Sequence, residues 1–412
     1  MLHQSLKDII IVDLSMGWAG PLACRHAADM GAQVIKVESC ERFDWWRSWE
    51  ATPEWIADDG AEKSSAFNMV NRNKYNITLD LENDRGRALL LQLVAQAHAV
   101  VENFSGGVLG KLNLGYEELC KANKDIVLLS MPAFGASGPW AEYRAYGSTV
   151  EHSSGLPHLN GHPEDPPTMQ HVALGDAVGG ITGASALMVA LWHQAKTGQG
   201  QFVDLSQVEG LFPLASHGIL EFSARGEAPK RYGNDHPDYA PVGVYPCDGE
   251  DEWIVLEIRS QAEWLTFNQL AQIKDFDDFE VRRSQRRALD SQIGSWTGAQ
   301  TAAVIVERLA SVGITTAACT ESASLLDHPQ LSARGFWQWI DRAVVGNQPN
   351  PSAPYRDQTG PLPISRPAPT LGQHNQQIFS ERLNLSDEEI ADLEAEGIIG
   401  SKPRMPTKKP AS

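Results

Sequence analysis

The first forty residues constrain the fold more than any other stretch. Residues 9–14 read Ile-Ile-Ile-Val-Asp-Leu, an apolar and largely β-branched run of strand length. Such a run has no polar face to offer water, so the strand must be covered on both sides, as in a parallel sheet. A loop of mostly small residues follows, Ser15-Met16-Gly17-Trp18-Ala19-Gly20-Pro21, in which Pro21 suits the first turn of a helix. Gly31 suits the end of that helix, and residues 33–37 (Gln-Val-Ile-Lys-Val) make a second strand with Glu38 at its carboxyl end. Strand, helix and strand together form a βαβ unit.

The alternation continues. Residues 77–81 read as a strand, 84–97 as a helix with Leu89, Leu90, Leu93 and Val94 on one face, and 99–103 and 126–131 as further strands. The last of these runs into the loop Gly135-Ala136-Ser137-Gly138-Pro139. A helix over 175–196, closed by Gly198, leads to a strand at 201–205. The N-terminal half therefore predicts a doubly wound, Rossmann-like α/β domain. Residues 228–241 are polar and rich in Pro and Asp, a linker, after which strands at 242–245 and 253–258 and helices near 262–272 and 301–312 predict a smaller α+β domain. Residues 347–369 are Pro-rich and again linker-like, and Ser386-Asp387-Glu388-Glu389 is a capping box. The expected division is a large domain over 1–225, a linker at 226–241, a small domain over 242–335, a return segment at 336–400 that completes the large domain, and a disordered basic tail at 401–412 carrying Lys402, Arg404, Lys408 and Lys409.

Composition narrows the partners. A chain with 42% hydrophobic and 21% charged residues is an ordinary soluble globular protein. A net charge of −18 argues against nucleic acid and anionic membrane, and any anionic small ligand needs a locally positive pocket. The five cysteines, Cys24, Cys40, Cys120, Cys247 and Cys319, are scattered and odd in number, which fits reduced thiols in a cytoplasmic protein. No secretory signal is visible at the start, and the apolar run at 177–191 is short for a bilayer and broken by Gly, Ser and Thr. No metal-ligand cluster is evident; His152, His158, His162 and His171 lie on a Gly/Pro-rich stretch without metal spacing and read as surface histidines.

Two motifs carry chemistry only ambiguously. Gly17-x-x-Gly20, with Glu38 about twenty residues on, superficially suits a dinucleotide whose ribose an acid would bind, but G-x-G-x-x-G is absent and a tight strand-to-helix turn explains the loop equally. Gly175-Asp176-Ala177-Val178-Gly179-Gly180 precedes a long apolar stretch, so Asp176 reads locally as an N-cap. Yet Gly179, Gly180 and Gly183 each cost about 1 kcal/mol relative to Ala in a helix. Close approach of another backbone or of a ligand would explain them.

Taken in order, several segments resemble the class III CoA-transferases, the CaiB/BaiF family that includes formyl-CoA transferases. They are Ala19-Gly20-Pro21, residues 31–38, Asn71-Arg72-Asn73-Lys74 with Thr78-Leu79-Asp80-Leu81, Val101-Glu102-Asn103-Phe104, residues 135–139, Leu174-Gly175-Asp176, residues 196–201, His328-Pro329-Gln330-Leu331 with Arg334-Gly335, and Gly372-Gln373-His374-Asn375. The resemblance implies an interlocked ring-like dimer, a homodimer or a heterodimer with a similar subunit. It implies a catalytic nucleophile at Asp176, kept ionised by its helix N-terminus, that passes through acyl-aspartyl anhydride and aspartyl-CoA thioester intermediates. It also implies that coenzyme A, as the substrate thioester, contacts Trp18, Ala19, Lys74, Asn103, Phe104 and Lys111, with Ser148, Gly179 and Gly180 beside the reacting group. Lys74 and Lys111 would supply the local positive charge, and an acyl-CoA and a carboxylic acid are the substrates, succinyl-CoA being the donor suggested by analogy.

The departures are informative. Trp18 stands where oxalate-specific relatives carry Gln, Ser148 where they carry Glu, and their Gly-rich flap has no counterpart around Arg259-Ser260-Gln261, which argues against oxalate. Five of the twelve tryptophans fall between Trp18 and Trp55, a hint of a larger or aromatic acid. The α-methylacyl-CoA racemases share the aspartate but carry G-H-D where this chain has Gly147-Ser148-Thr149, so the second base of that reaction is missing. A non-catalytic subunit of a heteromeric transferase and a nicotinamide-dependent oxidoreductase are the remaining alternatives.

Overall fold

The computed structural model describes residues 1–170 and 172–405. His171, Lys408 and Lys409, considered above, lie outside the described residues. The chain divides into two compact units: Met1–Leu156, Met169–His217 and Pro329–Ser412 in one, Pro157–Thr168 and Gly218–His328 in the other.

The larger unit is built on a sheet whose strands are β1 (Ile10–Asp13), β2 (Gln33–Glu38), β3 (Tyr75–Thr78), β4 (Ala99–Glu102), β5 (Val127–Ser130) and β6 (Gln201–Asp204). All pair in parallel in the order β3-β2-β1-β4-β5-β6. The apolar run at the start behaves as its composition demands, with adjacent residues feeding opposite faces. Val12, Ile35 and Val100 pack with Leu89, Leu90 and Leu93 of the helix Asp84–Val94 and with Ile378 and Phe379 of the return segment. Ile11, Val34 and Val101 pack on the other face with Ala23 and Ala27 of helix α1 (Ala19–Asp29) and with Leu187, Ala190 and Leu191 of helix α2 (Leu174–Thr197). The order of the strands reverses between β1 and β4, and in such sheets the crevice at the carboxyl ends there is where ligands bind.

The return segment closes the sheet's exposed edge. The Asn76 N–H of β3 donates to His374 Nδ1 (3.1 Å), the His374 N–H to Asn76 O (2.9 Å) and the Thr78 N–H to Asn375 Oδ1 (2.9 Å). An unpaired edge strand is thereby capped by side chains and loop rather than by another strand. Arg72 and Asn73 anchor the same segment, Arg72 by donating from Nη1 to Pro351 O. Arg72 forks onto Asp29 (3.0 and 2.7 Å), and Asn73, at φ 62°, accepts at Oδ1 from the Ser365 and Arg366 N–H groups.

Residues 347–369, linker-like in sequence, contain ordered structure. Trp337–Arg342 and Gly346–Pro351 form an antiparallel ribbon, and Arg356–Asp357 pairs with Gly360–Pro361. Pro349 and Pro351 are two apart, so their missing donors fall on one side of the strand, which a two-stranded ribbon can leave open. Residues 401–405, the start of the presumed tail, are also held: the Arg404 N–H donates to Cys40 O (2.7 Å) and Pro403 is buried. The capping box at Ser386 is present and starts the helix Asp387–Ala395.

The smaller unit holds a three-stranded antiparallel sheet, Val242–Pro246, Trp253–Glu257 and Thr315–Ala318, with the second strand in the middle. Ile254 and Leu256 pack there with Trp264, Phe267, Ile305 and Leu309 of the helices Gln261–Ala271 and Ala302–Ser311. Helix α2 is longer than the apolar run 177–191, and among the described residues it is the one helix long and apolar enough to cross a membrane by length and composition. Its buried face, Gly180, Gly183, Ala184, Leu187 and Leu191, lies against the larger unit's core.

Candidate active site

The loop after β1 lies at the sheet's switch point. It is pinned by Asn103 at the end of β4: the Met16 N–H donates to Asn103 Oδ1, and Asn103 Nδ2 donates to Met16 O, both at 2.8 Å. Gly17 has φ 75°, its N–H donates to Asp44 Oδ1 (2.8 Å), and a Cβ there would come 2.0 Å from the Trp45 ring. Both the backbone conformation and the space demand glycine. Past this turn α1 begins at Ala19, and its first N–H points at Asp176.

Asp176 is the third residue of α2, whose N-cap is Ala173 without a side-chain hydrogen bond. The local N-cap reading is therefore off by three positions. The start of α2 is fastened from a short helix α3 (Gly147–His152; it precedes α2 in the chain). Buried Glu151 accepts from the Gln170 N–H (2.6 Å) and the Leu174 N–H (3.2 Å). Gly147, the first residue of α3, lies directly against the carboxylate: a Cβ on it would sit 2.0 Å from Asp176 Oδ2. The glycines of α2 have a packing explanation. A Cβ on Gly180 would meet Leu22 Cδ2 and Ala19 O at 2.8 and 2.9 Å, one on Gly183 would meet Met131, and one on Gly179 would meet Gln207. Gly179 and Gly180 are thus places where α1 and Gln207 approach, and they do not line the cavity at Asp176.

Asp176 is half-buried, and burial pushes its carboxyl from the ordinary 3.8 up to about 6, against the pull of the Gly147 and Ala19 N–H groups. Desolvation outweighs the backbone donors, so the helix N-terminus does not make this group unusually acidic. At pH 7 the carboxylate still predominates. No cation pairs with it among the described residues.

The carboxylate opens into a cavity of about 280 Å³, whose lining includes Met16, Asn103, Phe104 and Ser105 together with Tyr143, Arg144, Tyr146 and Gly147. Gln207 Nε2 is anchored to Met131 O (2.7 Å) and the side chain also lines the cavity. One wall is aromatic: Trp45 stacks on Trp49 (4.5 Å between centroids), and Tyr146 packs edge-on against both (5.5 and 5.2 Å). Met16 and Phe104 also line a second cavity, about 270 Å³, over the ends of β2 and β3, with Leu14, Val37, Leu79, Val108 and Leu112. Just behind Phe104, Glu102 is buried against Ser130 and the Phe104 N–H (2.7 Å); burial raises its carboxyl to about 7.

The structure brings Ala19, Asn103, Phe104 and Asp176 together. Trp18 stands at the N-cap of α1 with its ring 5.3 Å from Trp46, in the same aromatic group. Lys111 is exposed on a short helix whose Val108, with the following Leu112, lines the second cavity. Ser148 follows Gly147 in α3, and its carbonyl lies 2.7 Å from His152 Nδ1. Lys74 corrects the reading from resemblance. It is fully buried, and Nζ donates to Asp13 Oδ2 (2.8 Å), Pro21 O and Asn71 Oδ1 (both 2.9 Å), so all three donors are used inside the fold. Glu38 is equally occupied, by Arg47, Asn76 and the Asp44 N–H, and is not a ribose ligand. Sequence reasoning missed Gly147's contact with Asp176, the fastening role of Glu151, and the cavity positions of Trp45, Arg144, Tyr146 and Gln207. Only the tryptophan density hinted at one of these.

Among the described residues no group of three or more His, Cys, Asp or Glu gathers as a metal site would.

Comparison with known proteins matches residues 6–375 to CoA-transferase family III. A succinyl-CoA–D-citramalate CoA-transferase from Chloroflexus aurantiacus is 30% identical over 402 residues, covering 96% of this chain and 98% of the relative. A succinate–glutarate CoA-transferase from Agrobacterium fabrum is 29% identical over 393 residues, covering 91% and 95%. The crystal structure of a CaiB/BaiF family protein from Brucella suis matches with a TM-score of 0.82 at 30% identity, covering 92% of this chain and 99% of that one.

Proposed function

The chain belongs to CoA-transferase family III, and from that premise we propose that Asp176 is the nucleophile that carries coenzyme A from an acyl-CoA donor, succinyl-CoA, to a carboxylic acid. The observation that carries this reading is a carboxylate without a cationic partner, facing a cavity beneath two backbone N–H groups. An ion-paired carboxylate is a poor nucleophile; one that is partly desolvated and free attacks more readily.

An Asp176 oxygen attacks the thioester carbonyl and expels CoA thiolate, leaving a mixed anhydride. The thiolate attacks the aspartyl carbonyl, releasing the donor acid and forming an aspartyl-CoA thioester. The acceptor carboxylate attacks that thioester, giving a second anhydride and thiolate. Attack of the thiolate on the acceptor's acyl carbon then yields the new thioester and regenerates the aspartate. The two attacks on the aspartyl carbonyl develop an oxyanion on it, where the N–H groups of Gly147 and Ala19 can donate to it. The second cavity adjoins the first through Met16 and Phe104 and suits the nucleotide end of CoA, with Lys111 near its rim for phosphate.

A dimer is part of the same proposal. Ile181, Val189 and Trp192 of α2 and Leu214 of the helix Phe212–Arg225 are exposed apolar side chains of the larger unit. We assign this surface to a second, interlocked copy of the chain or to a similar subunit. The five cysteines are unpaired, which supports a cytoplasmic enzyme.

The test is trapping. Incubated with succinyl-CoA and quenched with hydroxylamine, the protein is expected to carry a hydroxamate at Asp176, detected by peptide mass spectrometry. Asp176→Ala should give neither adduct nor transfer while remaining folded. Transfer that survives in Asp176→Ala overturns the mechanism.

A further inference from the structure

The cavity at Asp176 holds two charged side chains, and the second has no assigned task. Arg144 is exposed to the cavity and makes no ion pair or hydrogen bond among the described residues. In a chain of net charge −18, carboxylates able to neutralise a guanidinium are plentiful, yet none does so here. We propose that Arg144 receives the distal carboxylate of a short dicarboxylic acid acceptor, whose other carboxylate reacts at the aspartyl thioester. This rests on the reading of Asp176 as the nucleophile and specifies the acid.

Geometry supports the pairing. Arg144 lies three residues before Gly147, the residue in contact with Asp176, so their Cα atoms are at most about 11 Å apart even in extended chain. The arginine side chain can shorten that span to the length of a short diacid. The cavity, about 280 Å³, has room for a small acid beside a thioester. The aromatic wall is a weaker candidate for recognition. Trp45, Trp49 and Tyr146 spend their faces and edges on one another, and Trp45 is backed by Gly17. An aryl acid would have to displace contacts that already exist; a second carboxylate meets a planar fork that is unoccupied and matched to it.

The experiment uses the whole protein, saturating succinyl-CoA, and two acceptors of equal carbon count, glutarate and pentanoate. Wild type is expected to favour glutarate. Arg144→Gln should raise the KM for glutarate about 10- to 100-fold, one to two decades at about 1.4 kcal/mol each. The same variant should leave the kcat/KM for pentanoate within about twofold, so the preference collapses; any change in the succinyl-CoA half-reaction is shared by both acids. Arg144→Lys, with charge but no fork, should recover part of it. Wild-type indifference between the acids, or an equal loss with both in Arg144→Gln, overturns the inference. Asp176 trapping separates the two readings: a wild-type adduct with an unmoved preference sinks this inference alone, whereas no adduct removes the nucleophile and this inference with it.

Discussion

Two regions that both adjoin the β1 loop treat the same kinds of charged side chain in opposite ways. Beneath the β1 loop, Asp13 meets Lys74 at 2.8 Å, Lys36 meets Asp44 at 2.8 Å and donates to Ser15 O at 2.6 Å, and Arg47 joins Glu38 and Glu62, both at 3.0 Å. Above the loop, Asp176 and Arg144 share a cavity without such partners. The titration of the two aspartates follows. Burial alone would push Asp13 up, but the ammoniums of Lys74 and Lys36 outweigh it and hold its carboxyl below the ordinary value. Asp176 is buried less completely, yet rises to about 6 because nothing cationic answers it. Burial pulls Lys74 below its ordinary value while Asp13 pulls it back, and the three acceptors around Nζ fit the charged form. Paired ions here hold the loop in shape; the unpaired ones are left available for chemistry.

The sharpest way to break the comparison is to remove a cation from the paired region. Lys74→Ala leaves Asp13 without its ion-pair partner, with only Ser15 and the more distant Lys36 to answer its charge, and leaves the carbonyl of Pro21, in the first turn of α1, without its donor. The expected loss of stability is about 3–5 kcal/mol, the scale for removing one partner of a buried ion pair. Denaturant unfolding measures it. Arg144→Gln, in the unpaired region, should move the same midpoint by less than about 0.5 kcal/mol. Unaltered stability in Lys74→Ala with weakened binding of acyl-CoA would restore Lys74 as a ligand and erase the contrast.

The two lysines also mark how far the sequence could be read. Strands and helices with strong local periodicity were legible, as were the turn at Gly17, the C-terminal glycine of α2 and the capping box at Ser386, because each is decided within a few residues. Lys74 and Lys111 look alike in one dimension, and what separates them is a partner 61 residues away from Lys74. The ribbon within residues 347–369 hid for the reverse reason: its prolines argue locally against a strand, and only the pairing of Gly346–Pro351 with Trp337–Arg342 supplies one. Asp176 became a candidate through family resemblance alone, since an acid at a helix start is first an N-cap. Arg144, Gln207 and Trp45 sit in loops that carry no pattern, and only the folded chain gathers them around the carboxylate.

A smaller perturbation sharpens the other half of the comparison. Gly147 does not have a positive φ, so alanine is compatible with its backbone and, as a better helix former, favours α3. The obstacle is specific: the new Cβ would come 2.0 Å from Asp176 Oδ2 and 2.9 Å from Ala173 Cβ. Gly147→Ala is therefore expected to lower kcat/KM about 100-fold, the cost of displacing a reacting group by an ångström, with stability changed by less than about 1 kcal/mol. Steady-state transfer and unfolding on the same sample decide it. Full activity would mean that the carboxylate is free to swing away from Gly147, and that its position is not held by α3.

The gentlest test uses pH to set the two aspartates against each other. A folded pKa near 6 against an ordinary 3.8 means that the folded state holds the Asp176 proton more tightly than the unfolded chain does. Below about pH 4 both states are protonated and Asp176 costs the fold nothing; between pH 4 and 6 stability falls as pH rises, and above 6 the penalty is constant. Asp176→Asn removes it, so the variant should exceed wild type by about 1–3 kcal/mol at pH 7, the upper figure being the full shift and the lower a discount for the open side of a half-buried group. The gain should vanish toward pH 4. Asp13 runs the other way, its carboxyl held low by Lys74, so its contribution is present at neutral pH and lost in acid. If Asp176 is the nucleophile proposed here, only its ionised form attacks, and transfer by wild type should fall about tenfold per pH unit below 6. The carboxylate thus gains activity across the window in which it costs stability. An Asp176→Asn variant no more stable than wild type at pH 7 would mean that Asp176 has found a cation in solution, and belongs with Asp13 among the paired ions.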